Sequence, residues 1–254
     1  MDNLELSIHI AAKPSTVYRF LSDAKLFQQW MGTGATLSAT GIRVEYSGGH
    51  AAATGTIREA VPDQRLVFGW GYENSEHGHA SDSTTVTIEL TATADGGTSV
   101  KLTHQGLDAQ QRENHSQGWN YYLSQLARHA AAIGLSERLP EIVASYCNAW
   151  NETDARKRRK LLNSCWEADA AFRDGMGSAD GLDTLDQYIG NAQKFMAGFK
   201  LEPAGKADLV HGYVRFAWVI RQPDGSPMMG GQNFGQLSSA GKFQFLAGFS
   251  GGGQ

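Results

Sequence analysis

Two histidines, His104 and His115, and a set of large aromatic side chains are the groups in this 254-residue chain best suited to chemistry or to holding a ligand. An imidazole can move a proton near neutral pH, bind a metal, or form a hydrogen-bonding wall of a cavity. His104 closes the alternating segment TSVKLTHQG, in which Val100, Leu102 and His104 fall on one side. It reads either as a hydrogen-bonded histidine at a strand end or as a cavity residue. His115 stands one helical turn before Trp119 and points the same way, so it either braces a helix or faces a ligand. Trp30, Phe68, Trp70, Trp119 and Tyr122 each read as core, and some of them as lining if a cavity exists. His77 to His79, the run HGH, sits in a polar loop with no third metal ligand near in sequence, and reads as solvated. In the second half His211, Tyr213 and Arg215 alternate along one apparent strand. They share a face that could bind a carboxylate or phenolate, or pair with surface acids. Trp218, further along the same segment, is a candidate ligand contact.

Other patterns fail on context. Gly248 to Gly252 matches G-x-S-x-G, but that nucleophile elbow needs a following helix with acid and histidine downstream, and only two residues follow. Gly175-Met176-Gly177 lacks the third glycine of a dinucleotide site, and no Walker or HExxH motif occurs. No cofactor and no metal are expected. Arg156 to Lys160 is a basic run, yet it precedes an apolar stripe and the net charge is −4, so it reads as a solvated helix face and no nucleic-acid partner is expected. No run approaches the roughly 20 apolar residues of a membrane span, and MDNLELSIHI lacks the basic start and apolar stretch of a signal peptide. Cys147 and Cys165 both fall in helical sequence. The expectation is a cytoplasmic protein with reduced thiols and no membrane partner.

The element that must position His115 and Trp119 runs from Gly106 to Gly134. Asp108 stands where an N-cap belongs and Gly134 where a left-handed C-cap belongs. Trp119, Tyr122, Leu123, Leu126, Ala130 and Ile133 recur at three- and four-residue steps, marking one apolar face. Gly118 weakens that helix by roughly 1 kcal/mol relative to alanine, which implies close approach of something to its backbone. Upstream, Leu4, Leu6, Ile8 and Ile10 alternate as a strand, and PSTVYRFLSD reads as a short helix opened by Pro14. The segments IRVEY, ATGTIREAV, RLVFGWGYE, STTVTIELTA and TSVKLTHQG read as successive strands. Turn signals separate them, the first at Gly48-Gly49. Leu66, Phe68, Trp70 and Tyr72 share one face of the third, and Val67, Gly69 and Gly71 the other. A curved antiparallel sheet closed by one long helix follows. Downstream, three helices are predicted: PEIVASYCNAWNETD opened by Pro140, ARKRRKLLNSCWEADA capped by Thr153 or Asp154, and DTLDQYIGNAQKFMAG with Phe195 on its core face. Strands FKLEPA, ADLVHGYVRFAWVIRQ, PMMGGQNFGQLS and GKFQFLAGFSG come after them. The fold class is α+β, with domains placed at 1–136 and 137–254.

The order PxxVYxFLSD, LFxxWM, GTIxExxPxxRLVFxW, GTxVxLTHxGL and HxxGWxxxLxxL resembles the Hsp90 ATPase activator homologues (AHSA1-like), within the START-like, Bet v 1-like superfamily of helix-grip folds, over about residues 3–134. That resemblance implies a cavity between sheet and helix for an apolar small molecule, without a shared catalytic residue. YCNAWNETD, LLNSCWEADAAFRD, GLDTLDQYI, HGYVRFAW and GQNFGQL, over about residues 139–250, resemble the cone-shaped NTF2-like fold in its SnoaL-like and ketosteroid isomerase-like branch. By that resemblance Asp174 would be a general base and Tyr146 an oxyanion donor. The acid–base scheme is that of ketosteroid isomerase, carried over from that enzyme by the resemblance alone. Gly175 replaces the usual proline after the base, and Gln232 or Asn233, of which only one can face inward, replaces a protonated aspartate as second donor. A homodimer through the second domain is also implied. Two functions follow: binding of small apolar or aromatic molecules, with proton-transfer chemistry beside a carbonyl in the second domain, or a non-catalytic carrier, sensor or Hsp90-type co-regulator.

Overall fold

A computed structural model of the chain describes residues 3–32, 34–46, 51–74 and 78–251. The predicted turn at Gly48-Gly49, and His77, lie outside them. The fold is α+β, and the chain divides into two compact units, Met1–Gly134 and Leu135–Gln254. No helix among the described residues is long and apolar enough to cross a membrane.

The N-terminal unit is built on a seven-stranded sheet in the order β1-β7-β6-β5-β4-β3-β2. Its strands are β1 (Leu4–Ile10), β2 (Gly34–Leu37), β3 (Gly41–Tyr46), β4 (Ala51–Val61), β5 (Arg65–Tyr72), β6 (Thr84–Ala92) and β7 (Thr98–Gln105). The pairing of β1 with β7 sets Leu4 opposite His104 and Ile8 opposite Val100. Alternation decides the buried face: Val86, Ile88 and Leu90 of β6 and Val100, Leu102 and His104 of β7 are covered while their neighbours are half-exposed. β5 departs from this, because Leu66 through Gly71 are buried on both faces. The helix α1 (Pro14–Ser22) begins on Pro14, whose missing N–H is no loss in a first turn, and buries Val17, Phe20 and Leu21. Asp23 caps the short α2 (Ala24–Phe27) by accepting from Lys25 N and Leu26 N.

The helix α3 runs from Ala109 to Asn151 without interruption. Asp108 and Gln111 close its start reciprocally: Gln111 N donates to Asp108 Oδ1 (2.8 Å) and Asp108 N donates to Gln111 Oε1 (3.1 Å). Three expectations about it need correction. Gly134 does not end it and has no left-handed backbone. A Cβ on Gly134 would lie 2.7 Å from Ala12 Cβ, so the missing side chain lets the helix backbone lie against Ala11-Ala12. Pro140 opens no new helix but lies inside this one. Among the described residues no atom approaches Gly118, where a Cβ would meet nothing within 4 Å.

The C-terminal unit holds a six-stranded sheet, β10-β11-β12-β13-β8-β9, in which β13 and β8 pair in parallel. Asp154 caps α4 (Ala155–Cys165), accepting from Arg156 N and Lys157 N. The predicted second helix is too long, since Trp166–Asp174 is strand β8, followed by β9 (Gly177–Asp180). WEADAAFRD alternates with Trp166, Ala170 and Phe172 buried, and its place beside β13 overrides helical propensity. The third helix, α5 (Leu182–Ala192), stops early and leaves Phe195 87% exposed, not in the core. Nor is the basic run wholly solvated: Arg158 is buried, and its guanidinium bonds Asp186, Gln193 Oε1 and Glu152 O. The sheet's long strands are β10 (Lys200–Val210), β11 (Tyr213–Arg221), β12 (Pro227–Leu237) and β13 (Phe243–Ser250). What reads in sequence as one strand is a hairpin, turned at His211 (φ 50°) and Gly212 (φ 84°).

Candidate functional site

A cleft of about 340 Å³ opens in the N-terminal unit. β5 contributes Trp70 and Tyr72, β3 contributes Tyr46, and one face of α3 contributes His115, Gly118, Trp119 and Tyr122. Met31, Ala51, Gly78, Gln111 and Asn114 complete the lining, so among the described residues no carboxylate, ammonium or guanidinium borders it. Trp70 and Trp119 pack at 5.3 Å between ring centroids, and Tyr46 and Tyr122 at 6.1 Å. Burial pushes the Tyr46 phenol well above its ordinary pKa, and the Tyr122 and Tyr72 phenols add to the effect. Burial also raises Tyr72 and Tyr122. The three therefore stand as neutral hydroxyls, able to donate.

Behind the lining lies a histidine cluster. His104 is fully buried, and its ring sits 5.1 Å from that of His115 and 6.1 Å from that of His79. Partners that can only donate or only accept assign the protons. Trp119 Nε1–H donates to His104 Nδ1 (3.1 Å), so the His104 proton is on Nε2, facing Thr84 Oγ1 at 2.8 Å. Thr84 gives its single hydroxyl proton to Trp70 O (2.7 Å). It must then accept from His104 Nε2–H and, at 3.2 Å, from His79 Nε2–H. His115 Nδ1–H donates to Gln111 O (2.8 Å). That leaves lone pairs on His79 Nδ1 and His115 Nε2, and both atoms are buried without a partner among the described residues. The indole N–H of Trp70 is buried and unpartnered in the same way. Desolvation, then the neighbouring His115 and His79, pushes His104 down to about 3. Desolvation also lowers His79 and His115, so the cluster is uncharged at neutral pH.

The candidates thus divide. His115, Trp70, Trp119 and Tyr122 share the cleft wall, while His104 supports Trp119 from behind and Phe68 packs beside Trp70 at 6.1 Å. Trp30 is core, donating Nε1–H to Phe20 O. The solvated reading of the HGH loop is corrected for His79, which is half-buried against Thr84 and His115. The loop returns to β5 through Tyr72 N bonding His79 O (2.9 Å). A Cβ on Gly71 would lie 1.8 Å from Ala80 O, so the glycine-bearing second face of β5 was the available sign that chain crosses there. Tyr46 and Tyr72 were legible as inward by alternation. Thr84 carried no signal.

In the C-terminal unit Tyr146 is 2% exposed and stacks on Trp166 (6.2 Å), with Phe216 and Phe243 at its edges. Burial raises its phenol well above the ordinary range, followed by the effects of Cys147 and, more weakly, Asp174. Asp174 closes the β8–β9 turn: its Oδ1 accepts from Met176 N (2.9 Å), Gly177 N (2.8 Å) and Tyr188 Oη (2.8 Å). The hydroxyl bonded to Asp174 is therefore Tyr188's, not Tyr146's. Asn233 is the inward amide, accepting from Trp218 Nε1–H (3.0 Å), and Gln232 is exposed. Asn233 pairs with Gly248, where a Cβ would sit 3.0 Å from Asn233 Oδ1 and 3.5 Å from Asp174 Cβ. Gln232 and Arg215 meet on the outer side, in a hollow of about 220 Å³, with Arg215 bound to Asp208 (2.7 Å). His211 does not join that face, because it occupies the exposed hairpin tip. Neither hollow is lined by Asp174 or Tyr146.

The frame is thus a two-unit α+β protein whose first unit carries an uncharged aromatic cleft. A family model, the activator of Hsp90 ATPase homolog 1-like proteins, matches residues 11–131. Among solved structures, a SnoaL-like family protein from Agrobacterium tumefaciens is 28% identical, covering 44% of this chain and 96% of its own, with a TM-score of 0.42. The Aha1 dimer from Colwellia psychrerythraea is 19% identical over 50% of this chain and 94% of its own (TM-score 0.42). An Hsp90 activator from Plasmodium falciparum is 19% identical over 49% of this chain and 92% of its own (TM-score 0.41). No curated protein matches the chain.

Proposed function

We propose that the chain is a small-molecule binding protein whose N-terminal cleft takes an uncharged, largely aromatic or apolar ligand. One observation carries this: among the described residues the lining of the 340 Å³ cleft is rich in aromatic rings and bears no charged side chain. An ion entering such a wall would lose its hydration without gaining a counter-charge, whereas a flat apolar molecule gains contact area. Gly118 fits the same reading, since its missing side chain leaves room at the cleft instead of admitting protein.

Substitution at that position tests it. Gly118→Ala should stabilise the helix by roughly 0.5–1 kcal/mol, the propensity difference, because its Cβ meets nothing. Gly118→Leu should reach into the cleft and abolish retention of uncharged aromatic compounds, followed by native mass spectrometry. Undiminished retention in Gly118→Leu would place the ligand elsewhere.

A second reading belongs to the C-terminal unit, taken as an NTF2-like domain over 137–254. Asp174 and Asn233 both lie beside the side-chain-free position of Gly248, where a Cβ would meet Asn233 Oδ1 at 3.0 Å and Asp174 Cβ at 3.5 Å. There Asp174 would act as proton acceptor, with the amide of Asn233 assisting. The exposed, stacked Tyr213 and Phe234 on β11 and β12 suit a homodimer through that sheet. We propose a cytoplasmic site of action; an Hsp90-type regulatory role, the one named for the Plasmodium falciparum protein, is the alternative, and the uncharged cleft favours ligand binding.

A further inference from the structure

Buried polar atoms in a folded chain find partners, because leaving one without a partner forfeits its hydration with nothing in return. Two atoms of residues lining the cleft break that rule in opposite senses. His115 Nε2 has no partner among the described residues, and since Nδ1–H is committed to Gln111 O it can only accept. Trp70 Nε1–H is equally unpartnered there and can only donate. Neither satisfies the other in place, as neither bonds any described protein atom. Protonating His115 would supply a second donor, but burial disfavours the cation. His79 Nδ1 is a third such atom, yet His79 does not line the cleft.

We propose, resting on the ligand-binding reading above, that the cleft selects an aromatic hydroxy- or amino-carbonyl compound. Both atoms are closed to solvent in this structure, so the ligand reaches them by displacing the side chains over them. A neutral O–H or N–H of the ligand then donates to His115 Nε2, and a carbonyl or similar oxygen accepts from Trp70 Nε1–H. The ring system lies among Trp119, Tyr46 and Tyr122. Selection comes from polar mismatch more than from size. An analogue without the donor leaves the imidazole lone pair buried and unmet, and one without the oxygen does the same to the indole N–H. The scaffold sets the His115 lone pair through a backbone carbonyl and ties the Trp70 backbone to the histidine cluster. Gln111 O holds the His115 tautomer, and Thr84 bonds the carbonyl of Trp70 itself.

Two pairs of probes that differ in one polar atom test this on the full chain near neutral pH, read by tryptophan fluorescence or calorimetry. 1-Naphthol should bind on the order of tenfold more tightly than 1-methoxynaphthalene, the difference one hydrogen bond makes. 2-Acetylnaphthalene should exceed 2-isopropenylnaphthalene, which has a methylene in place of the oxygen, by a similar factor. His115→Phe should erase the first preference and keep the second, and Trp70→Phe should do the reverse. The wild-type comparison needs no variant to fold. Binding of both members of either pair with equal affinity would overturn the proposed pairing while leaving the cleft as a binding site. Failure of all four probes to bind would overturn the cleft reading itself, and this inference with it.

Discussion

Acidification should destabilise the N-terminal unit through His104, and the size of the effect follows from its surroundings. The ring is 0% exposed, accepts from Trp119 and donates to Thr84, and its pKa is held at about 3, chiefly by desolvation. In the unfolded chain it would titrate near 6.5. Because the folded value is the lower one, the unfolded state binds the extra proton as pH falls. Stability is fully present above about 6.5, falls through the window below it, and levels off only below about 3. At about pH 4.5 the unfolded state has gained about 3 kcal/mol from this one proton, a figure that holds while the folded pKa stays below about 4. His104→Gln supplies the control: an amide has an oxygen for Trp119 and an N–H for Thr84, yet does not titrate. Urea unfolding of both proteins at about pH 7.5 and about pH 4.5, followed by fluorescence, gives a double difference. Trp30, Trp70 and Trp119 report on the unit that holds His104. His79 and His115 are present in both proteins, so the double difference reads His104 together with its coupling to these two rings. Wild type should lose about 3 kcal/mol more than His104→Gln. Equal losses would mean that the buried imidazole takes its proton without unfolding, and the neutral cluster would have to be abandoned.

Gly134→Ala should destabilise the N-terminal unit by about 1–3 kcal/mol in thermal or urea unfolding, against the gain alanine brings to a helix, because its Cβ would lie 2.7 Å from Ala12 Cβ. A stabilised variant would mean that helix and Ala11-Ala12 are not in contact. Asp174→Ala removes the acceptor of Met176 N, Gly177 N and Tyr188 Oη, and should destabilise the C-terminal unit by about 1–3 kcal/mol. Unchanged unfolding there would free Asp174 from its turn-closing role and strengthen its reading as a base.

Much of the frame was legible because it is written in short-range periodicity. The stripe from Trp119 to Ala130, the alternation of β6 and β7, and Asp108 as a cap each depend on neighbours within a few residues. Where long-range packing decides, the reading failed. Gly134 carries the same sign whether it ends a helix or lets another segment approach, and Ala12, far away in sequence, settles which. WEADA could be helix or strand until β13 lay beside it. His211 lost its strand face because the chain reverses there, an event that alternation passes over when the turn residues are set within an apolar run.

The sequence by itself determined the α+β class and the inward aromatics Phe68, Trp70, Trp119 and Tyr122, since those depend on residue type and on which side of an element it falls. Only the tertiary structure decided which nitrogen of each histidine carries the proton. That choice rests on Thr84, Trp119 and Gln111 meeting three imidazoles brought together from a loop, a strand and a helix, and no local pattern encodes such a meeting.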